Sequence, residues 1–397
     1  MIPVSEPLIG AKEIEYVNDC LRTGWISSAG RFIEEFEEKW AKYCGMKYGI
    51  AMSNGTTALQ AALGCIGMQP GDKVIMPTFT IISCAQAVIY NGGVPILVDS
   101  DPRTWCMDVE QVKIKIENEI KKGDGKLKAI MPVHIYGHPV DMDPIMEIAE
   151  KYDLKIIEDA AEVHGAEYLT GRDSDVPQWK RCGSFGHISV FSFYANKLIT
   201  TGEGGMVLTN DQNYAEKARN IRNLCFRAEK RFLHTELGHN FRMTNMQAAI
   251  GLGQLERIEE IIARKRWMGK AYAEKLQDIP GIQLPIEETW AKQVYWMYGI
   301  VLDEETGIDA VRFAQKLKEK GVDTRPFFLG MHEQPVFQAT TLPSLGGRDT
   351  GRGMFTGESY PVAERIARQG LYLPSGLTLT EAQLDKVCDE VKTIVMR

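Results

Sequence analysis

The chain has no CxxC pair and no CxxCH motif: its eight cysteines stand singly at 20, 44, 65, 84, 106, 182, 225 and 388. That spacing argues against thiolate metal clusters, haem attachment and a disulfide scaffold, so the cysteines read as reduced, mostly buried thiols and no metal site is expected. Positive charge is also scarce, with Lys+Arg 46 against Asp+Glu 53 and a net charge of −7. A nucleic-acid-binding or anionic-membrane surface would need a basic footprint, and none is present. Any phosphate must therefore be held locally. The opening MIPVSEPLIG lacks the basic start and apolar core of a signal peptide, and no segment approaches about 18 uninterrupted apolar residues. The expected location is the cytoplasm. No internal repeat, low-complexity tract or nucleic-acid motif occurs.

What the chain does have is an ordinary globular composition over 397 residues, 44% hydrophobic and 25% charged, enough for two or three domains with a large core. From residue 48, short β-branched runs alternate with helical patterns at the rhythm of crossover units around a mostly parallel sheet. Strands are predicted at 48–53, 73–77, 95–99, 128–134, 154–159, 189–193 and 204–210, with a helix near 141–152. Helical patterns dominate from there to about residue 280. The tail reads as a smaller α+β domain, with a strand at 293–302, a helix at 309–321 and a Gly-rich loop at 345–358. Its last helix opens on a capping box, Thr380 with Gln383, and then repeats Leu384, Val387, Cys388, Val391 and Val395. The expected division is a large domain over 1–255 and a small one over 256–397.

Four features bear on chemistry, and each also has a plain structural reading. Asn54-Gly55-Thr56-Thr57 ends a strand and starts a helix, where unpaired N–H groups and the helix dipole favour a phosphate; the same residues also make an ordinary cap. Asp159 closes LKIIED at the carboxyl end of a strand, where ligands gather in open parallel sheets, although it could equally cap the next turn. Lys197 follows the apolar VFSFY and precedes Gly202, Gly204 and Gly205. A lysine beside glycines is usually a solvated residue, but in a desolvated setting it becomes a free amine able to form a Schiff base. The fourth feature, GHNFRM at 238–243, is by itself a polar loop. A phosphate cradle, a strand-end carboxylate and a Schiff-base lysine, in that order, are together what pyridoxal 5′-phosphate requires.

These residues lie in motifs that resemble the DegT/DnrJ/EryC1/StrS family of sugar aminotransferases, fold-type I pyridoxal-phosphate enzymes. The motifs run along nearly the whole chain: GWISSAG (24–30), SNGTTAL, DAAEVHGA (159–166), SFYANKLITTGEGG, GHNFRMTNMQAAIG (238–251) and YLPSG (372–376). The resemblance implies a homodimer with shared active sites. It implies Lys197 as the lysine bound to the cofactor aldehyde, Asp159 on the pyridine nitrogen and Glu162, where many relatives carry Gln, near the ring hydroxyl. The phosphate would be held by Gly55, Thr56, Thr57 and Ser192, with Asn240 entering from the partner chain. Many members place an aromatic residue at the position of Ile81 to stack on the ring; Phe79 is the neighbour that would replace it. A family branch that replaces the lysine by histidine dehydrates instead, and Lys197 sets this chain outside it.

The implied reaction passes an amino group from L-glutamate, through pyridoxamine 5′-phosphate, to a nucleotide-linked 4-keto-6-deoxyhexose. The stretches 325–337 and 359–376 look most like the GDP-perosamine synthase branch, which acts on GDP-4-keto-6-deoxymannose. UDP- or dTDP-linked sugars share every cofactor motif. Trp25, Tyr194, Arg325 and His332 are the expected substrate residues, with packing of His332 between Pro326 and Pro335 as the alternative. The segment 170–183 reads as a surface loop near the nucleotide. A non-catalytic sensor of the cofactor or sugar is a reading of another class.

Overall fold

The computed structural model describes residues 1–172, 174, 176–226, 230–338 and 353–396. Nine strands come from the first two-thirds of the chain: β1 (Tyr48–Met52), β2 (Lys73–Pro77), β3 (Val94–Val98), β4 (Leu127–Ile130), β5 (Lys155–Asp159), β6 (Glu167–Thr170), β7 (Gln178–Arg181), β8 (Ile188–Ser192) and β9 (Gly205–Thr209). Seven of them form one sheet in the order β1-β9-β8-β5-β4-β2-β3. The run from β8 to β3 is parallel, and β9 alone lies antiparallel to both its neighbours. The central strands are buried almost throughout, as expected of a sheet with helices on both faces.

Because β1, β2, β4, β5 and β8 point the same way, their carboxyl ends share one edge of the sheet. Asp159 and Ser192 end β5 and β8 there, and Asn54 follows β1. Open α/β sheets gather ligands at that edge. The helix Gly55–Cys65 starts at the same edge because Asn54 Oδ1 accepts the Thr57 N–H while the Thr57 hydroxyl receives the Asn54 N–H, a reciprocal cap. Two N-terminal helices not marked out in the sequence reading, Ala11–Thr23 and Arg31–Cys44, pack on the helix Asn245–Leu255. The second buries Phe32, Phe36 and Trp40 along one stripe.

The remaining strands are β10 (Ile282–Gln283), β11 (Ala291–Lys292), β12 (Tyr298–Leu302), β13 (Arg325–Pro326) and β14 (Gly370–Leu373). An antiparallel sheet, β10-β12-β14-β13, is packed with the helices Ala310–Glu319, Pro361–Gln369 and Glu381–Val395. Its core joins Tyr272, Tyr298, Phe313, Leu384 and Val391. The helix Ile258–Leu276 runs between this core and the main one. The capping box at Thr380 and Gln383 is present. All eight cysteines are buried.

Two expectations need correction. The strand expected at 293–302 begins only at Tyr298: Tyr295 takes φ 47 and the chain bends before it pairs. The segment 170–183 is not a simple loop, since its two ends pair as β6 and β7 and β11 adds to their edge. Asp141 and Asp143 hold the hairpin through Tyr168, Thr170 and Arg172. Among the described residues of 167–183, none lines the cavity that opens at the shared strand edge. The Gly-rich stretch 345–358 lies outside the described residues up to 352.

Candidate active site

A cavity of about 660 Å³ opens at the shared strand edge. Its floor begins at the first turn of Gly55–Cys65. Gly55, Thr56 and Thr57 all line it, and the Thr56 and Ser83 hydroxyls lie 2.8 Å apart. Ser192 completes the ring of hydroxyls. A side chain at Gly55 would place its Cβ 2.8 Å from Ser192 Cβ, so glycine is what keeps the space between the helix and β8 open. The first-turn N–H groups of Gly55 and Thr56, the positive helix end and the hydroxyls of Thr56, Ser83 and Ser192 make a cradle for a phosphate dianion. Thr57 serves as a cap as well, so the two readings of this motif coexist.

Asp159 stands deeper, at the end of β5, and is buried. One carboxylate oxygen takes the Ala161 N–H at 3.0 Å, and the other receives the Cys84 thiol at 3.2 Å. Burial pushes its pKa up, so a buried cation beside it would be strongly favoured. Glu162 is three residues on; its Oε2 accepts the Tyr136 N–H at 2.8 Å and its Oε1 lies 3.5 Å from Lys197 Nζ. Burial raises the Glu162 carboxyl to about 7.

Lys197 is largely enclosed, and burial lowers its pKa despite the two nearby carboxylates. The turn after Phe193 carries it, and the Lys197 N–H closes that turn on the Tyr194 carbonyl at 2.9 Å. The Trp296 ring covers the amine, with Nζ 3.7 Å from its centroid. The cavity therefore presents an amine of lowered basicity, a buried carboxylate and a phosphate-shaped cradle within one space. This donor set fits pyridoxal 5′-phosphate: the aldehyde, the ring nitrogen and the phosphate each have a partner here.

Of the expected substrate residues, only Tyr194 lines the cavity. Trp25 and Arg325 are exposed and outside it; Arg325 pairs with Asp323 at 2.7 Å. His332 is buried, with Nδ1 2.8 Å from Thr78 Oγ1 and Nε2 3.2 Å from Glu364 Oε1. One ring nitrogen is spent on Thr78, after β2, and the other on Glu364, in the helix Pro361–Gln369, and His332 does not line this cavity. Phe79 is equally buried, packed on Tyr136, Phe327 and Phe328, and it does not replace Ile81, which itself lines the cavity. Asn240 is exposed, bridged to Asn223, and does not reach the cavity of its own chain.

The sequence reading missed Trp296, Ser83 and Phe328 as wall residues. Ser83 lies two residues past Ile81 and could have been found by position. His134, Glu158 and Cys182 also bring ligand atoms within 4.8 Å of one another. Glu158, however, already accepts His134 Nε2, the Ser189 hydroxyl and three N–H groups, and His134 Nδ1 accepts the Val140 N–H. That cluster ties β5 to the loop before β8.

The chain is 41% identical over 387 residues to a GDP-perosamine synthase of Caulobacter vibrioides (strain ATCC 19089 / CIP 103742 / CB 15), covering 97% of this chain and 96% of that protein. It is 38% identical over 390 residues to a GDP-perosamine synthase of Escherichia coli O157:H7, covering 98% and 97%. Among solved structures it matches Streptomyces venezuelae DesV, crystallised in complex with a ketimine intermediate, with TM-score 0.83, 30% identity and coverage of 98% and 95%. The family model for DegT/DnrJ/EryC1/StrS aminotransferases spans residues 7–392. With that match over nearly its full length, and a cavity whose lysine, carboxylate and phosphate cradle suit pyridoxal 5′-phosphate, the chain belongs to the DegT/DnrJ/EryC1/StrS aminotransferase family and is a pyridoxal-phosphate-dependent transaminase.

Proposed function

We propose that the protein aminates GDP-4-keto-6-deoxymannose to GDP-perosamine with L-glutamate as donor, acting as a cytoplasmic homodimer. The observation that carries the chemistry is the Lys197 amine, held between the Trp296 ring and the Glu162 carboxylate, in the same cavity as Asp159 and the phosphate cradle. The sugar assignment draws on the perosamine synthases among its relatives. We assign residues 1–255 to a cofactor-binding domain and 256–397 to a smaller one.

Pyridoxal 5′-phosphate, when bound, supplies an aldehyde that condenses with amines and a ring that draws electrons from the donor's α-carbon. The residues of the chain do the rest. Gly55, Thr56, Thr57 and Ser192 hold the phosphate, and Asn240 of this chain serves the partner's site. Asp159 keeps the ring nitrogen protonated, so electron withdrawal is at its strongest. Glu162 holds the ring hydroxyl. Lys197 Nζ, uncharged once its proton is lost, would take the proton from the donor's α-carbon and deliver it, across the nitrogen between them, to the carbon that was the cofactor's aldehyde, and would reverse that transfer when the ketosugar is aminated. Tyr194 and Ile81 stand at the wall open to substrate.

The test is incubation with glutamate and, separately, the GDP-, UDP- and dTDP-linked 4-keto-6-deoxyhexoses, with products resolved by mass. Amination of the GDP sugar at the highest kcat/KM is expected. Exclusive turnover of a UDP or dTDP sugar would overturn the sugar assignment. A yellow preparation whose colour is indifferent to glutamate would point instead to a binding protein without turnover.

A further inference from the structure

Lys265, on the helix Ile258–Leu276, is buried, and among the described residues no carboxylate stands in its hydrogen-bonding shell. Its ammonium donates to two main-chain carbonyls, those of Trp296 (2.8 Å) and Ser375. Burying a lysine without a counter-charge is costly, and here it pushes the pKa down to about 7. A residue held at that cost invites the question of what it holds. The answer on the far side of its first contact is Trp296, which is itself buried, donates its indole N–H to the Asn196 carbonyl at 2.8 Å, and lays its ring over Lys197 Nζ.

Trp296 reaches this position only because the chain bends sharply before it. Tyr295 is left-handed, a conformation that persists in a non-glycine residue when its surroundings over-determine it. Those surroundings are tight. A Cβ at Gly137 would lie 2.6 Å from the Trp296 nitrogen, and one at Gly269 would lie 2.5 Å from the Tyr295 ring. The Val294 N–H also bonds the Gly137 carbonyl at 3.1 Å. The bend, the two glycines and the Lys265 clamp all act on the segment that presents the Trp296 ring. Indole is the best of the aromatic faces for an ammonium, and the interaction strengthens on desolvation.

We propose that Lys265 and Trp296 form a relay that positions the Lys197 amine: Lys265 fixes the Trp296 main chain, while the indole ring and its N–H fix the Lys197 side chain and the turn that carries it. Both are positioning residues. The relay rests on the reading of Lys197 as the residue that bonds the cofactor, and it deepens that reading.

The variants are Trp296→Leu, Trp296→Phe, Lys265→Met and the pair Trp296→Leu with Lys265→Met. Two readouts are taken. In cofactor-free protein, the rate of Lys197 acylation by acetic anhydride is measured by peptide mapping. In protein given pyridoxal 5′-phosphate, the fraction of Lys197 trapped by borohydride is followed against cofactor concentration and pH. Trp296→Leu is expected to weaken attachment about tenfold and to speed acylation, because the amine loses its cover. Lys265→Met should act in the same direction, more weakly, and the pair should be no worse than Trp296→Leu alone, as for two links of one chain. Trp296→Phe, which keeps a ring face, should recover most of the loss.

The relay is overturned if Lys265→Met matches the wild type in both readouts, if the two effects multiply, or if Trp296→Phe is as impaired as Trp296→Leu. Should Lys265→Met not fold, Lys265→Gln takes its place; its shorter side chain can still donate to a carbonyl, so a smaller effect in the same direction is expected. If wild-type protein is trapped at another lysine, the reading of Lys197 fails, while the acylation rates still test the relay.

Discussion

Glu162 and Lys197 meet inside the cavity with Oε1 and Nζ 3.5 Å apart, and the remaining Glu162 oxygen is held by the Tyr136 N–H. Burial raises the acid to about 7 and lowers the amine, so the gap that ordinarily separates a carboxyl from an ammonium narrows here. Folded Glu162 keeps its proton up to about 7, whereas the unfolded residue loses it near the ordinary carboxylate value. Between those values the folded chain binds more protons, and stability falls as pH rises. Glu162→Gln removes that titration. Thermal melts of cofactor-free protein should show the variant gaining on the wild type across this window, by a few degrees, with a constant gap above about 7. A gap independent of pH would show that Glu162 is not the titrating group. The glutamate half-reaction of Glu162→Gln should stay within about tenfold of wild type at pH 8, since the amide preserves the shape and its oxygen can still accept the Tyr136 N–H.

Asp159→Asn separates holding the cofactor from activating it. The amide keeps the size of the carboxylate and can still accept the Ala161 N–H, but it carries no charge to keep a ring nitrogen protonated. Cofactor should remain bound after dialysis, while the single-turnover rate with glutamate falls by about 100-fold or more. Release of the cofactor with no change in the rate of the bound fraction would place Asp159 in binding alone.

The cradle is open to test from the opposite side of the sheet edge. A Cβ at Gly205, on β9, would stand 2.3 Å from the Asn54 carbonyl oxygen and 2.9 Å from the Gly55 nitrogen. The contact is with backbone, so Gly205→Ala must shift the first turn of Gly55–Cys65. Such overpacking costs about 1–3 kcal/mol. Affinity for pyridoxal 5′-phosphate, measured by fluorescence titration of cofactor-free protein, should drop with it, whereas pyridoxal without the phosphate should bind as it does to wild type. An equal loss for both compounds would argue against a phosphate site at this helix.

Most of the main sheet was legible because its strands are local signals: KVIMP, KIIED and ISVFS are short apolar runs bounded by turn residues, and each is buried where the pattern said. That Lys197, Asp159 and Gly55 would meet in one cavity was legible for the same reason, since each lies at or shortly after the end of such a run. Trp296 was hidden by the same logic. It lies in an apolar stretch that reads as strand, and only packing of Tyr295 against Gly269 and of Trp296 against Gly137, both far away in sequence, turns it toward the cavity. Phe79 and His332 show the converse: both have the right residue type for a site, but an aromatic cluster holds one and Thr78 with Glu364 the other, and neither lines the cavity of this chain. Residue type sets what a side chain can do; contacts distant in sequence decide where it does it.

His332 gives the sharpest contrast between a substrate contact and a structural one. Its ring bridges Thr78, after β2, to Glu364, in the first turn of Pro361–Gln369, and its carbonyl accepts the Gln338 side-chain amide. His332→Ala deletes both ring contacts and leaves the fully buried Thr78 hydroxyl short of one partner, a loss of about 1–3 kcal/mol. The expected outcome is a lower melting temperature, with KM for the nucleotide sugar within about twofold of wild type. His332→Asn, which can keep one of the two bonds, should recover part of the stability. A rise in KM of tenfold or more without loss of stability would mean that the ring leaves Thr78 and meets the sugar during turnover.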